Sequence, residues 1–205
     1  MSGNEGRSAE GSSANPLLRF VLITLAWLPV AFAVWYVLAP IILFPAEAIV
    51  RVLVYGFFRD LVTSVESHGG VLSFVTALRP GEARTGGVLT VDVNMLLYAF
   101  GLPLFAALTL AARQRPVWRP LVIGYLAMMP FVAWGVLADF LKNVAITASP
   151  LVVSQASFGA VARDMIVFAY QLGSLILPAV VPAVAWVLTH RAFLTRLRSR
   201  EAVTP

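Results

Sequence analysis

The sequence predicts an all-α membrane protein: a four-helix transmembrane bundle with an amphipathic helix and a small extramembrane β-hairpin. The first observation is Phe20–Phe44, 25 residues without a charged side chain. As a helix rising about 1.5 Å per residue it would reach roughly 37 Å, more than the roughly 30 Å hydrocarbon core of a bilayer. The second is composition: 60% of residues are hydrophobic and 12% are charged, whereas globular domains carry about 25% charged residues.

Charge and cysteine content exclude several function classes. The net charge of +5 comes from basic residues beside the ends of apolar runs, which argues against nucleic-acid binding. The chain has no cysteine, which excludes disulfides, thiolate metal sites and a cysteine nucleophile. His68 and His190, the two histidines, are far apart in the chain. We therefore expect no metal site and no cofactor.

The N-terminal part is predicted to be a tail followed by a membrane anchor. Residues 1–16 are rich in Gly, Ser and Asn and are expected to form a disordered cytoplasmic tail. The first span covers residues 17–44 and opens a single membrane domain, residues 17–197. Ala46-Glu47-Ala48 has the form of a signal-peptidase site, but a signal core of about 7–15 residues is far shorter than this run. An uncleaved anchor is the favoured interpretation.

An extramembrane segment, residues 46–94, is predicted to follow. Ala46–Val65 mixes apolar and charged residues, and Glu47 and Arg51 have the i,i+4 spacing of a helical ion pair. We expect an amphipathic helix there. Gly70–Arg79 and Val88–Val93 are short and β-branched, and the turn-rich Pro80–Gly87 separates them. This pattern predicts a β-hairpin.

Three more spans are predicted after the hairpin, at residues 95–112, 120–140 and 165–189. A basic turn, Arg113–Arg119, joins the first two of them. The helical pattern of the 120–140 span continues to about Thr147, and a polar connection, Ala148–Asp164, leads to the last span. Residues 198–205 form a second cytoplasmic tail.

The distribution of Lys and Arg predicts the orientation. The two tails and the 113–119 turn hold nine of these residues, against six in the segments on the other side. The positive-inside rule therefore places both termini in the cytoplasm. The segment 46–94 would then lie outside, on the face where we expect the function to reside.

Six polar residues near or within the spans are candidates for interactions: Asp92, Asn94, Asp139, Lys142, Gln171 and Ser174. Asn94 is expected to cap the next helix. Asp92 beside it could instead offer an exposed carboxylate to a partner. Asp139 and Lys142 suggest an ion pair at the membrane interface or, alternatively, an ion path within the membrane. Gln171 and Ser174 suggest hydrogen bonds between helices or, alternatively, a contact with a ligand.

Recognised catalytic patterns are missing from the sequence. It contains no H-E-x-x-H, G-x-S-x-G or Walker A motif and no paired carboxylates within one span. Ser174 within the last span faintly suggests an intramembrane nucleophile, but both histidines lie outside the apolar spans and leave it without a general base. We expect that the chain is not an enzyme.

Four segments resemble the exosortase H-associated membrane proteins of bacteria: RFVLITLAWLPVAFAVWYVLAP, VDVNMLLYAFGLPL, WGVLADFLK and FAYQLGSLILPAVVPAVAW. The resemblance covers residues 17–197. It implies an inner-membrane partner of exosortase H, a transpeptidase-like membrane enzyme that processes C-terminal sorting signals with a cysteine nucleophile. A chain without cysteine cannot be that enzyme, which fits an accessory role.

The function predicted is therefore a non-catalytic inner-membrane accessory protein that docks the enzyme or its substrate at the outer face. Its partners would be the lipid bilayer and an exosortase-type transpeptidase, with no nucleic acid. The alternative is a small transporter or lipid-handling subunit that uses a cavity between proline-kinked helices. The sequence leaves the oligomeric state open.

Overall fold

A computed structural model describes residues 16–79, 87–191 and 195. The predicted N-terminal tail (apart from Pro16), the predicted C-terminal tail and most of the predicted Pro80–Gly87 loop lie outside the described residues. The described part is mostly helical. Its helices are α1 (Pro16–Ile42), α2 (Phe44–Phe57), α3 (Leu96–Ala99), α4 (Gly101–Ala112), α5 (Trp118–Lys142), α6 (Pro150–Ala156), α7 (Ala160–Gln171) and α8 (Leu177–Thr189).

Three helices are long and apolar enough to cross a membrane: Leu17–Ile42, Trp118–Thr147 and Ala160–Thr189. The second predicted span, residues 95–112, is helical but shorter, Leu96–Ala112, and is divided at Phe100 into α3 and α4. Pro103 lacks the N–H that would bond to the Ala99 carbonyl, so the helix is weakened at this point. Three span-length helices are thus found where the sequence predicts four.

Helix α5 is central and α1 is peripheral. Helix α5 packs against α2, α4, α7 and α8, whereas α1 contacts mainly α4. Large apolar side chains of α1, such as Val37 and Ile41, are about three-quarters exposed. A helix that is apolar and uncovered on most of its circumference is stable in lipid and not in water.

Two π-helical turns occur in the described residues: Asn143–Thr147 continues α5, and Leu172–Ile176 joins α7 to α8. In the second, the Leu177 N–H bonds to the Leu172 carbonyl, five residues back. Pro178 follows and cannot donate to the carbonyl four residues before it, which favours this wider turn. The same turn holds Gly173, where a Cβ would lie 2.9 Å from the Gly135 Cα of α5. Glycine thus lets the two helices approach closely.

A three-stranded antiparallel sheet, in the order β1–β2–β3, replaces the predicted hairpin. Its strands are β1 (Val62–His68), β2 (Val71–Thr76) and β3 (Thr90–Asn94). The predicted pairing of the 70–79 and 88–93 runs is confirmed, since Phe74 is opposite Val91. The additional strand β1 pairs with β2 across a two-residue turn, Gly69-Gly70, in which both glycines have positive φ. Glycine adopts that conformation without steric cost.

The predicted amphipathic helix is correct only in its first part. Helix α2 ends at Phe57, and Val62–Val65, predicted as helical, belongs to β1. The prediction was wrong there because three of these four residues, Val62, Thr63 and Val65, are β-branched, which favours a strand. Pairing with β2 therefore outweighs the local helical pattern.

Candidate functional site

The sheet and the segment after α5 form one folded layer at the same end of the helical bundle, which we call the sheet end. Phe74 of β2 and Phe140 of α5 stack with ring centroids 4.4 Å apart, and both are fully buried. Arg79, after β2, donates its backbone N–H to Gln155 Oε1 of α6 at 3.0 Å. The Gln155 amide returns a bond to the Arg79 carbonyl at 3.1 Å. Two segments far apart in sequence are thus fixed together.

Asp139 and Lys142 form an ion pair where α5 reaches the sheet end. Lys142 Nζ lies 3.0 Å from Asp139 Oδ1 and 4.2 Å from the centre of the Tyr170 ring of α7. Asn143 Nδ2 donates to the same carboxylate oxygen at 3.2 Å. The Tyr98 side chain of α3 also interacts with Asp139. The cluster joins three helices, and its charges are already matched within the chain.

Asp92 and Asn94 lie on the exposed face of β3, and the structure gives them different roles. Asn94 Oδ1 accepts a hydrogen bond from the backbone N–H of Leu96 at 3.0 Å, which supports the predicted capping of α3 by Asn94. Asp92 lies opposite Ser73 of β2 and its side chain is exposed. No ion pair with Asp92 occurs among the described residues.

Gln171 and Ser174 lie along the α7–α8 helix, away from β3. Gln171 is exposed, and Ser174 Oγ donates to the Tyr170 carbonyl of its own helix at 2.7 Å. The predicted bond between helices is therefore wrong for Ser174. A hydroxyl bonded back to the preceding turn is the usual arrangement for serine in a helix. The close helix contact at this level comes from Gly135 and Gly173 instead.

A slot of about 270 Å³ lies beside β3, and the sequence did not reveal it. One wall is Leu89–Asp92, and the other is made by Asn143, Thr147 and Ala148 of the π-helical turn. The slot brings Asp92 close to a segment more than fifty residues later in the chain. Neither Asn143 nor Thr147 shows any pattern in the sequence that marks it as part of a site.

The opposite side of the sheet is closed by α2. Arg51 pairs with Glu47 at 2.7 Å, as the sequence predicts, and its Nη1 also donates to the Val65 carbonyl of β1. The Val65 N–H in turn donates to Tyr55 Oη at 3.2 Å. Both backbone groups at the centre of β1 are thus occupied by side chains of α2.

A second cavity, of about 390 Å³, lies between α1, α4 and α5 at the level of the apolar helices. Its walls are apolar and include Val34, Trp35, Pro103, Ala106 and Met128. Pro103, in the first turn of α4, is the one proline among these wall residues. The described residues contain no group of three or more metal-ligating side chains.

Three apolar helices of membrane-spanning length, together with a small sheet, are the features of a membrane protein. The chain belongs to the exosortase H-associated membrane proteins, a family that it matches over residues 14–193. The family resemblance seen in the sequence is thereby confirmed. No curated protein and no solved structure matches the chain.

Proposed function

We propose that the protein is a non-catalytic accessory subunit of an exosortase H-type sorting system in the bacterial inner membrane. It would dock the enzyme or its substrate through the layer at the sheet end. The observation that carries this proposal is the construction of that layer. Segments from either side of α5 are fixed to one another through the Phe74–Phe140 stack and the Arg79–Gln155 bonds, which makes a rigid surface and not a loose loop.

We further propose that the chain crosses the membrane four times. Helices α3 and α4 start directly after β3 at the sheet end, and α5 returns to the sheet end. Leu96–Ala112 has 17 residues, which correspond to about 25 Å of helix, close to the roughly 30 Å hydrocarbon core. The positive-inside rule then supports cytoplasmic termini and an outward-facing sheet end.

The absence of cysteine supports a non-catalytic role. The family resemblance implies a transpeptidase with a cysteine nucleophile, so the chemistry would belong to the partner. The Asp139–Lys142 pair is already neutralised within the chain and supports a structural role for these charges.

Co-purification tests the docking role. The tagged chain is extracted in mild detergent from cells that also express the exosortase and an exported protein with a sorting signal. We expect the enzyme to be recovered with the chain, and deletion of the chain to lower processing of the exported protein. Normal processing without the chain, together with no recovery of the enzyme, would contradict the proposal.

A second candidate function, lipid handling, is favoured by the cavity between α1, α4 and α5. Its volume of about 390 Å³ falls in the usual range of ligand sites, about 300–1,000 Å³, and its walls are apolar. A phospholipid acyl chain matches this chemistry. Ala106→Trp would fill the cavity, whereas Ala127→Trp, on the exposed face of α5, is the matched control. Native mass spectrometry should show less bound phospholipid in the first variant alone, and equal lipid in both would exclude this function.

A further inference from the structure

The outer edge of β3 presents free backbone groups. Leu89 N–H donates to the Leu78 carbonyl and Met95 N–H to the Gly70 carbonyl, both at 2.9 Å, so these residues direct their backbone groups towards β2. Backbone direction alternates along a strand, so Thr90 and Asp92 direct their N–H and C=O groups away from β2. No hydrogen bond to these outward groups occurs among the described residues. Within the described part of the chain, this edge is therefore open.

An open edge requires explanation because proteins usually close such edges. Unpaired strand edges promote aggregation and are commonly covered or charged. The β1 edge follows that rule at its centre, where Arg51 and Tyr55 bind both backbone groups of Val65. The β3 edge faces the slot instead. Within the described residues, the centre of the β1 edge is thus covered and the β3 edge is open beside a cavity. This is the arrangement expected of a strand-addition site.

The slot has the chemistry that an added strand needs. Neighbouring strands lie about 4.8 Å apart, and the slot beside β3 has a volume of about 270 Å³. Its far wall includes Asn143 and Thr147. The Asn143 amide nitrogen already donates to Asp139, so Asn143 Oδ1 and the Thr147 hydroxyl are the groups that can bond the second edge of an inserted backbone. Asp92 adds a negative charge at the rim without a cation partner among the described residues.

We propose that an extended segment of the exported protein binds in this slot as a fourth strand beside β3, with a basic side chain near Asp92. This inference rests on the accessory function proposed above and identifies its substrate site. The free N–H and C=O groups of Thr90 and Asp92 would supply the backbone bonds. An extended peptide adds to an exposed sheet edge through such backbone bonds, and contacts of its side chains give specificity.

A second copy of the chain fits the slot less well. Antiparallel pairing of two β3 strands about their central residue would place Asp92 opposite Asp92, and like charges in that position are destabilising. A single segment from a different polypeptide avoids this repulsion.

Site-specific crosslinking tests the proposal. A photoreactive benzophenone residue is placed at Thr147, in the slot wall, or at Ser67, an exposed position of β1 at the other edge of the sheet. The full chain is expressed with the exosortase and a tagged exported protein carrying a basic residue upstream of its sorting signal. We expect an adduct with the tagged protein from position 147 and at least about fivefold less from position 67.

Proline substitution provides the second measurement. Asp92→Pro removes an outward N–H of β3, and its control, Ser67→Pro, removes an outward N–H of β1. Edge strands tolerate proline at such outward positions. We expect Asp92→Pro to lower the Thr147 adduct at least about fivefold and Ser67→Pro to leave it unchanged. Thermal unfolding in detergent checks that both variants remain folded. If Asp92→Pro unfolds the chain, Asp92→Lys is used, which should lower the adduct by charge repulsion.

Each outcome separates this proposal from the accessory function. Recovery of the exosortase without a Thr147 adduct would overturn the slot proposal and leave the accessory function standing. An adduct with a second copy or with the enzyme would also overturn it, because the occupant would be wrong. Loss of both enzyme recovery and the adduct would overturn the accessory function itself.

Discussion

The two edges of the sheet differ in whether their outward backbone N–H and C=O groups are hydrogen-bonded within the chain. At the centre of β1, the Val65 N–H and C=O are bonded to Tyr55 and Arg51 of α2. Along β3, the outward groups of Thr90 and Asp92 face a slot. Both edges lie in the same small sheet above the same helix bundle. The difference shows that edge closure in this protein is local and made by particular side chains, so an edge can be left open selectively.

The closed centre of the β1 edge depends on Arg51, which forms two different contacts. Arg51 forms the i,i+4 pair with Glu47 within α2 and also reaches across to β1. Spacing along the helix predicts the first bond only. The second requires that β1 lies beside α2, which follows from the pairing of β1 with β2.

The largest expected effect on the free energy of unfolding comes from removing the packing contact between the sheet and α5. Phe140→Ala should lower the free energy of unfolding by about 3–5 kcal/mol, because it leaves a cavity beneath the sheet where Phe140 stacks on Phe74. Reversible unfolding in detergent, monitored by tryptophan fluorescence, measures this change in the free energy of unfolding. Phe168→Ala, at an exposed position of α7, is the control and should change little. Equal losses in the two variants would mean that the stack does not hold the sheet.

Opening the closed edge should have an intermediate effect. Arg51→Ala leaves the Val65 carbonyl and the Glu47 carboxylate without their arginine partner, and we expect a loss of about 1–3 kcal/mol. The control is Arg59→Ala, since Arg59 is exposed and bonds the Tyr55 carbonyl at a longer 3.4 Å. The same unfolding assay applies. A variant as stable as the Arg59 control would show that the β1 edge is not held by Arg51.

Hydrogen exchange sharpens the contrast at single amides. In the native protein, the Val65 amide should exchange more slowly than the outward amides of Thr90 and Asp92, because its N–H donates to Tyr55 Oη. Tyr55→Phe removes that acceptor and should bring Val65 several-fold closer to the β3 rates, at a cost of about 0.5–1.5 kcal/mol. Slow exchange at Thr90 and Asp92 would contradict an open β3 edge.

The smallest expected effect is at Asp92 itself. Asp92→Ala should change the free energy of unfolding by no more than about 0.5 kcal/mol, since the carboxylate is exposed and unpaired among the described residues. Asp139→Ala is the matched comparison. It breaks the part-buried pair with Lys142 and should cost more. A large loss at Asp92 would give it a structural role and weaken its assignment to binding.

Much of the helical architecture could be predicted from the sequence, and most of the slot could not. Long uncharged runs set the positions of α1, α5 and the α7–α8 helix because burial of polar groups in lipid is costly. The ion pairs Glu47–Arg51 and Asp139–Lys142 follow from helical spacing. The strand β1 was missed because a short β-branched run after a helix gives no clear period. Asn143 and Thr147 were missed because their role depends on contact with a distant strand.

Hydrophobicity and charge along the chain identify a membrane protein and locate its long helices approximately, because both act residue by residue. Which edge of the sheet is closed at its centre, and which edge faces a slot, is visible only in the folded chain. Those outcomes depend on pairings between segments that lie far apart along the chain, such as Arg79 with Gln155 and Phe74 with Phe140. Local patterns carry no information on such distances, because the packing of the whole bundle sets them.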